Sequence, residues 1–302
     1  MSGFRIPFGN WVEDGIDWLI RTLGWLFTFI RKVLQGAYDG LEDALTSAPF
    51  WAVIVVIAIL AFLAKGWKLA LGSAIGLVLI VGFSQWDYAM QTLALVLLAS
   101  AIALIIAIPL GILAARNDTA SAIIRPILDF LQTMPAMVYL IPALMLFRLG
   151  VTPGMVATIL FSLAPGVRLT ELGIRGVDKE VVEAGYAFGA SPRRVLRQIQ
   201  LPLAMPSIMA GVNQVIMLSL SMVVIAGMVG AGGLGDQVYT SLNRVNVGLG
   251  FEAGTSVVIL AMILDRITGG FGSHRKRRSS QKKTTQETQE TVQDTPETVA
   301  AG

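Results

Sequence analysis

Residues 230–235 read GAGGLG, a literal match to the G-x-G-x-x-G spacing that lets backbone amides close on a dinucleotide pyrophosphate. That chemistry needs a strand before the glycines, and here a long apolar run precedes them, so they are read as a tight turn with close helix approach. No G-x-x-x-x-G-K-[ST] occurs, so if ATP drives this protein another chain hydrolyses it. Cysteine is absent and the one histidine, His274, lies in a polar tail. Disulfides, thiolate or histidine metal sites and cysteine nucleophiles are thereby excluded from the fold. What remains is hydrogen-bonding capacity set in apolar surroundings. Gln132, Thr133, Met134, Pro135 and Tyr139 form one group, and Asn213, Gln214, Ser219 and Ser221 form another. Buried polar groups in lipid need partners. These residues either bond helix to helix or line a pathway for a polar solute, and both readings stand. Charges are missing from the middle of the apolar runs, Arg148 and Asp265 lying near the ends. That suits an uncharged or zwitterionic solute better than an ion or proton pathway. A quaternary ammonium would call for an aromatic cage, but Tyr139 stands alone, so selectivity is expected to lie mainly elsewhere.

One polar insert stands apart. EAGYAFGASPRRVLRQIQLP, Glu183 to Pro202, lies between two apolar runs. Glu183, Ala184 and Gly185 start a short helix whose small residues leave a surface flat enough for another protein to approach, and Gly189 can close it with a left-handed cap. Ser191 is placed to cap a second helix with Pro192 at its first position, running to a stop at Leu201-Pro202. Physics alone takes this stretch no further than a docking surface on a structured loop.

The elements that must carry these residues follow from composition. The chain has 302 residues, of which 54% are hydrophobic and 14% charged, and a mean hydropathy of +0.68. Soluble domains carry about 25% charged residues, so this is a membrane protein, all-α and polytopic. About seven spans are expected, over Phe50–Ala64, Leu69–Phe83, Thr92–Ala115, Met134–Leu149, Met155–Val167, Pro206–Val229 and Gly254–Ile267. Four of these runs hold only 13 to 15 residues. Crossing a ~30 Å core takes about 20, so those helices are expected to extend into flanking polar residues.

Lysine and arginine segregate between alternate connections. Seventeen fall in one set, including Arg168, Arg175, Lys179, Arg193, Arg194, Arg197 and the bases of the tail, and six fall in the other. The positive-inside rule then puts the N-terminus outside and both the Glu183 loop and the C-terminus in the cytoplasm. Residues 1–48 form an extracytoplasmic region in which Trp11, Trp18, Leu19, Trp25, Leu26 and Phe29 recur at helical spacing among charges. An interfacial helix fits this pattern, and so does a helix packed on the protein's own outer surface. The transmembrane body spans 49–271 with its cytoplasmic loop at about 171–204. From 272 to 302 the tail is basic and then polar, with too little apolar surface to fold, and no fixed structure is expected there. There is no secretory signal pattern at the start.

Glu183, Ala184, Gly189, Ile199, Leu201 and Pro202 follow the order E-A-x-x-x-x-G, nine residues, I-x-L-P. This resembles the cytoplasmic loop that bacterial ABC importer permeases present to their ATPases. Gly185 stands where that family more often has alanine. LDFLQTMPAMVYLIP from Leu128 to Pro142, RLTELGIRGV from Arg168 to Val177 and GAGGLG are similar to the glycine betaine/proline betaine permeases of osmoprotectant importers, with methionine importer permeases as near relatives. The resemblance covers about residues 85 to 270. It implies a bacterial or archaeal inner-membrane permease with no cofactor of its own. Two ATPase subunits holding ATP and magnesium, a second permease copy, an extracytoplasmic binding protein and surrounding lipid are its implied partners, and nucleic acid is not among them. Around Glu183 to Gly189 it implies a coupling helix seated on the ATPase. Transport of methionine or another amino acid is the alternative within this class, and an ion-coupled secondary carrier is the alternative outside it.

Overall fold

The computed structural model describes the backbone of residues 7–293 and the side chains of residue 7 and residues 9–270. All regular structure among the described residues is helical. A long α1 (Phe8–Thr46) kinks at Leu23 and meets α2 (Phe50–Lys65) at 102°. α2 and α3 (Trp67–Gly82) form an antiparallel pair through the Gly66 turn. Then come α4 (Trp86–Arg116), α5 (Asp118–Thr133), a 3₁₀ turn at Ala136–Tyr139 with the short α6 (Leu140–Phe147), and α7 (Val151–Arg175). Two short helices, α8 (Lys179–Ala187) and α9 (Pro192–Val195), lead through a π turn into α10 (Leu201–Ala226). α11 (Gly233–Arg244) and α12 (Val247–Gln293) complete the chain.

Four helical stretches are long and apolar enough to cross a membrane, Trp86–Arg116, Val151–Arg175, Pro192–Val229 and Val247–Gly270. Counting each sharply bent pair as one span raises that to six, against the seven expected. The run Met134–Leu149 is where expectation and structure part. It is no straight span, because α5 and the turn-plus-α6 segment are bent by 110° across Pro135. Proline lacks an N–H and disfavours helix in the residue before it, and Met134 is indeed extended at ψ 133°. In the tail, where composition leads to an expectation of no fixed structure, the backbone is helical to Gln293. Lysine, arginine, glutamine and glutamate there carry good helix propensity, and residues 294–302 lie outside the described chain.

The core is the three-helix contact of α4, α7 and α10. Small residues let these backbones approach closely, as interhelical packing in lipid requires. A Cβ on Gly111 would stand 2.7 Å from the Val167 carbonyl oxygen, and one on Gly166 would stand 2.8 Å from the Ala107 Cβ. Hydroxyls inside these helices bond back to their own backbone, Thr158 to the Gly154 carbonyl at 2.7 Å and Ser162 to that of Thr158 at 2.8 Å. The second half of α1 docks on this core from the side. Tyr38 is buried among Leu95, Met155 and Ile159, Phe27 meets the Phe147 ring edge-on, and Glu42 accepts from Gln91 at 2.8 Å.

Candidate functional site

Near Gly176 the backbone leaves α7 and turns, and α8 begins at Lys179, four residues upstream of the expected start at Glu183, with Asp178 accepting from the Glu180 amide at 3.0 Å as N-cap. At its far end Gly189 has φ +78°, its amide bonds the Tyr186 carbonyl at 2.8 Å, and the Ala190 amide bonds that of Gly185 at 3.1 Å. Those bonds form a Schellman closure, the left-handed cap that glycine allows. Ser191 is extended and opens α9 through its carbonyl, which accepts from the amides of Arg194 and Val195. Its side chain makes no cap bond, contrary to the expected role.

Two further expectations are corrected. Leu201-Pro202 ends nothing, because α9 runs straight into α10 through a π turn at Leu196–Gln200. The wider turn accommodates the missing amide and the ring of Pro202. Gly185 does not lie on the outward surface, since a Cβ on it would stand 2.5 Å from Cδ1 of Ile199. Gly185 and Ile199 thus face each other across the bend and set the spacing of the two helices. Leu196 is buried with Ile174, Val177, Ala204 and Ile208, and this small core fastens the loop to α7 and α10, while Val195 is buried as well. The outward surface carries Glu183, Ala184, Tyr186 and Phe188. Phe188, the residue that sequence reasoning passed over, is 92% exposed. Its signal was its type: a large ring beside a glycine cap, with no periodic apolar partners.

Beside this loop lies a charged cluster that also went unremarked. Glu171 is buried and accepts from Ser121 at 2.7 Å and Arg125 at 2.8 Å, while Nε of Arg175 stands 3.0 Å away. Arg175 reaches back to Asp118 at 2.7 Å and to the Ala114 carbonyl at 2.8 Å, and Arg168 pairs with Asp129. Residues 168, 171 and 175 share one face of α7, and 118, 121, 125 and 129 share one face of α5. The legible signal was this double i, i+3 or i+4, i+7 spacing; counting the arginines only for their sign overlooks it. The cluster ties α5 to α7 around a cleft of about 310 Å³.

The two polar groups singled out in the apolar runs are not brought to one cavity. Gln132, Thr133 and Pro135 are exposed at the α5 bend, with Thr133 bonding back to Phe130 at 3.0 Å. Tyr139 is buried, donates to the Leu131 carbonyl and stacks edge-on against Phe161 at 6.0 Å, with Met134 packed alongside. On α10, Asn213 donates to Asp265 at 2.9 Å and accepts from Thr268, which joins α10 to α12. Gln214 is exposed, Ser221 bonds the Met217 carbonyl at 3.0 Å, and Ser219 is buried with its hydroxyl unpartnered. At the opposite end of α10 the glycine-rich turn packs backbone on backbone. A Cβ on Gly227 would fall 2.3 Å from the carbonyl carbon of Gly235. The amides of Gly233 and Leu234 bond Gln91 at 3.0 Å and Thr92 at 2.8 Å. The turn is a helix-packing device, and the amides of Gly230, Ala231, Gly233 and Leu234 are engaged within the protein. Among the described residues no group of histidine, aspartate and glutamate could hold a metal ion.

Residues 107–271 match the family model described as binding-protein-dependent transport system inner membrane component. The chain is 45% identical to the glycine betaine/proline betaine transport system permease protein ProW of Escherichia coli, over 92% of this chain and 78% of that one. It is 44% identical to the glycine betaine/carnitine transport permease protein GbuB of Listeria monocytogenes, over 90% and 97%. With the glycine betaine transport system permease protein OpuAB of Bacillus subtilis it shares 42% over 91% and 98%. Among solved structures, the inward-facing MetNI methionine ABC transporter superposes with a TM-score of 0.57 at 20% identity, covering 61% of this chain and 93% of that one. That likeness establishes a shared fold.

Proposed function

The chain belongs to the binding-protein-dependent transport system inner membrane components, within the group that holds the glycine betaine permeases, and from that premise we propose that it carries glycine betaine or proline betaine inward as the permease of an ATP-driven importer. Two ATPase subunits binding ATP and magnesium, a second copy of this chain and an extracytoplasmic binding protein complete the assembly. Its N-terminus faces outward and its C-terminus the cytoplasm, in line with the lysine and arginine count.

The observation that carries the reading is the shape of the α8 loop. It presents Glu183, Ala184, Tyr186 and Phe188 outward, while Leu196 anchors it in the α7–α10 core. A rigid foot of this kind passes motion of a docked ATPase directly to two spans, and the differential contacts needed to shift the permease between states are made there. The polar residues Gln132, Thr133, Met134, Pro135, Tyr139, Asn213, Gln214, Ser219 and Ser221 are proposed to act around the pathway. Asn213 and Tyr139 do so by holding helices in place, and Ser219 adds a buried hydroxyl with no hydrogen-bond partner.

Reconstitution tests this. Labelled betaine should enter proteoliposomes only when the permease, the ATPase, ATP and the loaded binding protein are all present. Uptake by this chain alone, or uptake indifferent to Glu183→Arg, would overturn the proposal.

A further inference from the structure

The charged residues around the α5–α7 cleft are not all bound alike. Glu171, Arg125 and Arg175 are already paired: Glu171 accepts from Ser121 and Arg125 and lies beside Nε of Arg175, which also reaches Asp118 and the Ala114 carbonyl. Arg168 and Asp129 share one bond only, from Nη2 to Oδ1. Nε of Arg168 is buried without a hydrogen-bond partner. Arginine and a carboxylate commonly meet through two parallel bonds, so this pair keeps a donor and an acceptor for something else.

Their depth restricts what that can be. Arg168 lies seven residues inside the α8 end of α7, and Asp129 eleven residues inside the start of α5, about 10 and 16 Å at helical rise. α7 is long and apolar enough to cross a membrane, yet these two side chains are 40% and 62% exposed. Charged groups at such a depth face a water-filled space between helices and mark solute pathways. Leu169 and Leu172 give the cleft an apolar wall, and its volume of about 310 Å³ falls at the small end of ligand pockets, which run from ~300 Å³ upward.

Fixed charges of opposite sign beside an apolar wall match a small zwitterion, whose carboxylate and ammonium each find a partner. An ion of either sign would meet one like charge. Entry of the zwitterion exchanges the bond between Arg168 and Asp129 for one bond at each end of the solute. Among the described residues no aromatic ring lines the cleft to hold a quaternary ammonium by its face. The affinity is therefore low, as a site of passage requires, since a solute held tightly does not leave.

We propose that Arg168 and Asp129 form a transit subsite at the α8 end of the pathway, Arg168 taking the carboxylate of a small zwitterion and Asp129 its quaternary ammonium. This rests on the permease reading and adds to it the side chains that the solute meets.

Saturation-transfer NMR on the permease–ATPase complex in nanodiscs, without nucleotide or binding protein, tests it, with isotope-labelled methyls of glycine betaine as the probe. The protein should saturate these methyls, and the effect should fall about tenfold in D129N/R168Q, as loss of charge-assisted bonds requires. The pair is partly exposed, so the fold should tolerate either substitution. Tetramethylammonium and acetate each match one end only and should compete more weakly than proline betaine. The single variants give a reading that a purely structural ion pair would not: R168Q should shift the order of competitors toward tetramethylammonium, and D129N toward acetate. Absence of saturation in the unsubstituted complex, equal saturation in D129N/R168Q, or an unchanged order of competitors in both single variants would overturn the proposal. The phosphatidylcholine headgroup carries the same pairing of charges, so equal signals are expected in phosphatidylcholine and phosphatidylglycerol discs. Loss of signal in phosphatidylcholine alone would assign the cleft to lipid and refute the subsite. Uptake by the complete assembly separates the subsite from the permease reading. D129N/R168Q should lower maximal uptake about tenfold at unchanged KM, the mark of an interaction made after capture by the binding protein. Full uptake by that variant would remove the subsite and leave the importer standing, whereas failure of the unsubstituted assembly to take up betaine would remove the importer reading and the subsite with it.

Discussion

Phe188 and Gly189 sit side by side and do opposite things. Phe188 is exposed and contributes nothing to the fold of this chain, so Phe188→Ser should leave thermal unfolding unchanged. It should lower ATP-driven uptake tenfold or more, the cost of losing an aromatic anchor worth about 2 kcal/mol at an interface. A fall in unfolding temperature with intact uptake would contradict this. Gly189 has the opposite balance. Its φ of +78° suits glycine alone, so Gly189→Ala should destabilise the loop by about 1 kcal/mol, read as faster protease cleavage between α8 and α9. Glycine at 185 was readable from the sequence as a departure from the family habit, but its inward direction was not. Whether a small residue faces a partner or a neighbouring helix depends on where Ile199 returns, fourteen residues later.

Among elements, α5 is the one held by charge. Its ties to α7 run through Glu171, which is buried while Arg125 is 57% exposed. Glu171→Ala removes bonds from Ser121 and Arg125 at once and should cost about 1–3 kcal/mol for charge-assisted hydrogen bonds. Local hydrogen exchange should rise in α5 while α4 and α10 stay protected; uniform protection would show the cluster to be ornamental. Arg168–Asp129 pairs two partly exposed side chains, so Asp129→Asn should cost under about 1 kcal/mol. α1 is held by packing. Tyr38→Ala should cost about 3–5 kcal/mol, as for other large buried aromatics, and Tyr38→Phe far less, measured by thermal unfolding in detergent. Helix identity for α4 and α10 was plain from long apolar runs, while the apolar runs of α7 and α12 were short and these helices extend into flanking residues, as expected. The bend before α6 was not, because a run broken by Pro135 keeps the hydropathy of a span while losing its straightness.

At the scale of the molecule, the proposed function makes the permease a transmitter between two faces. Its foot at α8 and its glycine-rich turn lie at opposite ends of α10, and Gly227 and Gly235 set the closeness of α10 and α11. Gly235→Ala puts a Cβ 2.5 Å from the Val223 carbonyl oxygen, and relief there must come from backbone, so a loss of about 1–3 kcal/mol or more is expected. Uptake should fall with it, while ATPase binding at α8 persists in a pull-down. The sequence by itself determined the class of the protein, its membrane setting, the family and where along the chain the polar Glu183 loop falls, because hydropathy and short motifs are local properties of the chain. Only the tertiary structure decided that Gly185 points inward, that Pro202 interrupts no helix, that Asn213 is spent on α12, and that Glu171 gathers three arginine and serine partners. Those outcomes depend on which side chains meet across fourteen to more than fifty residues of chain, and a pairing between distant segments is fixed by packing, which no local pattern records.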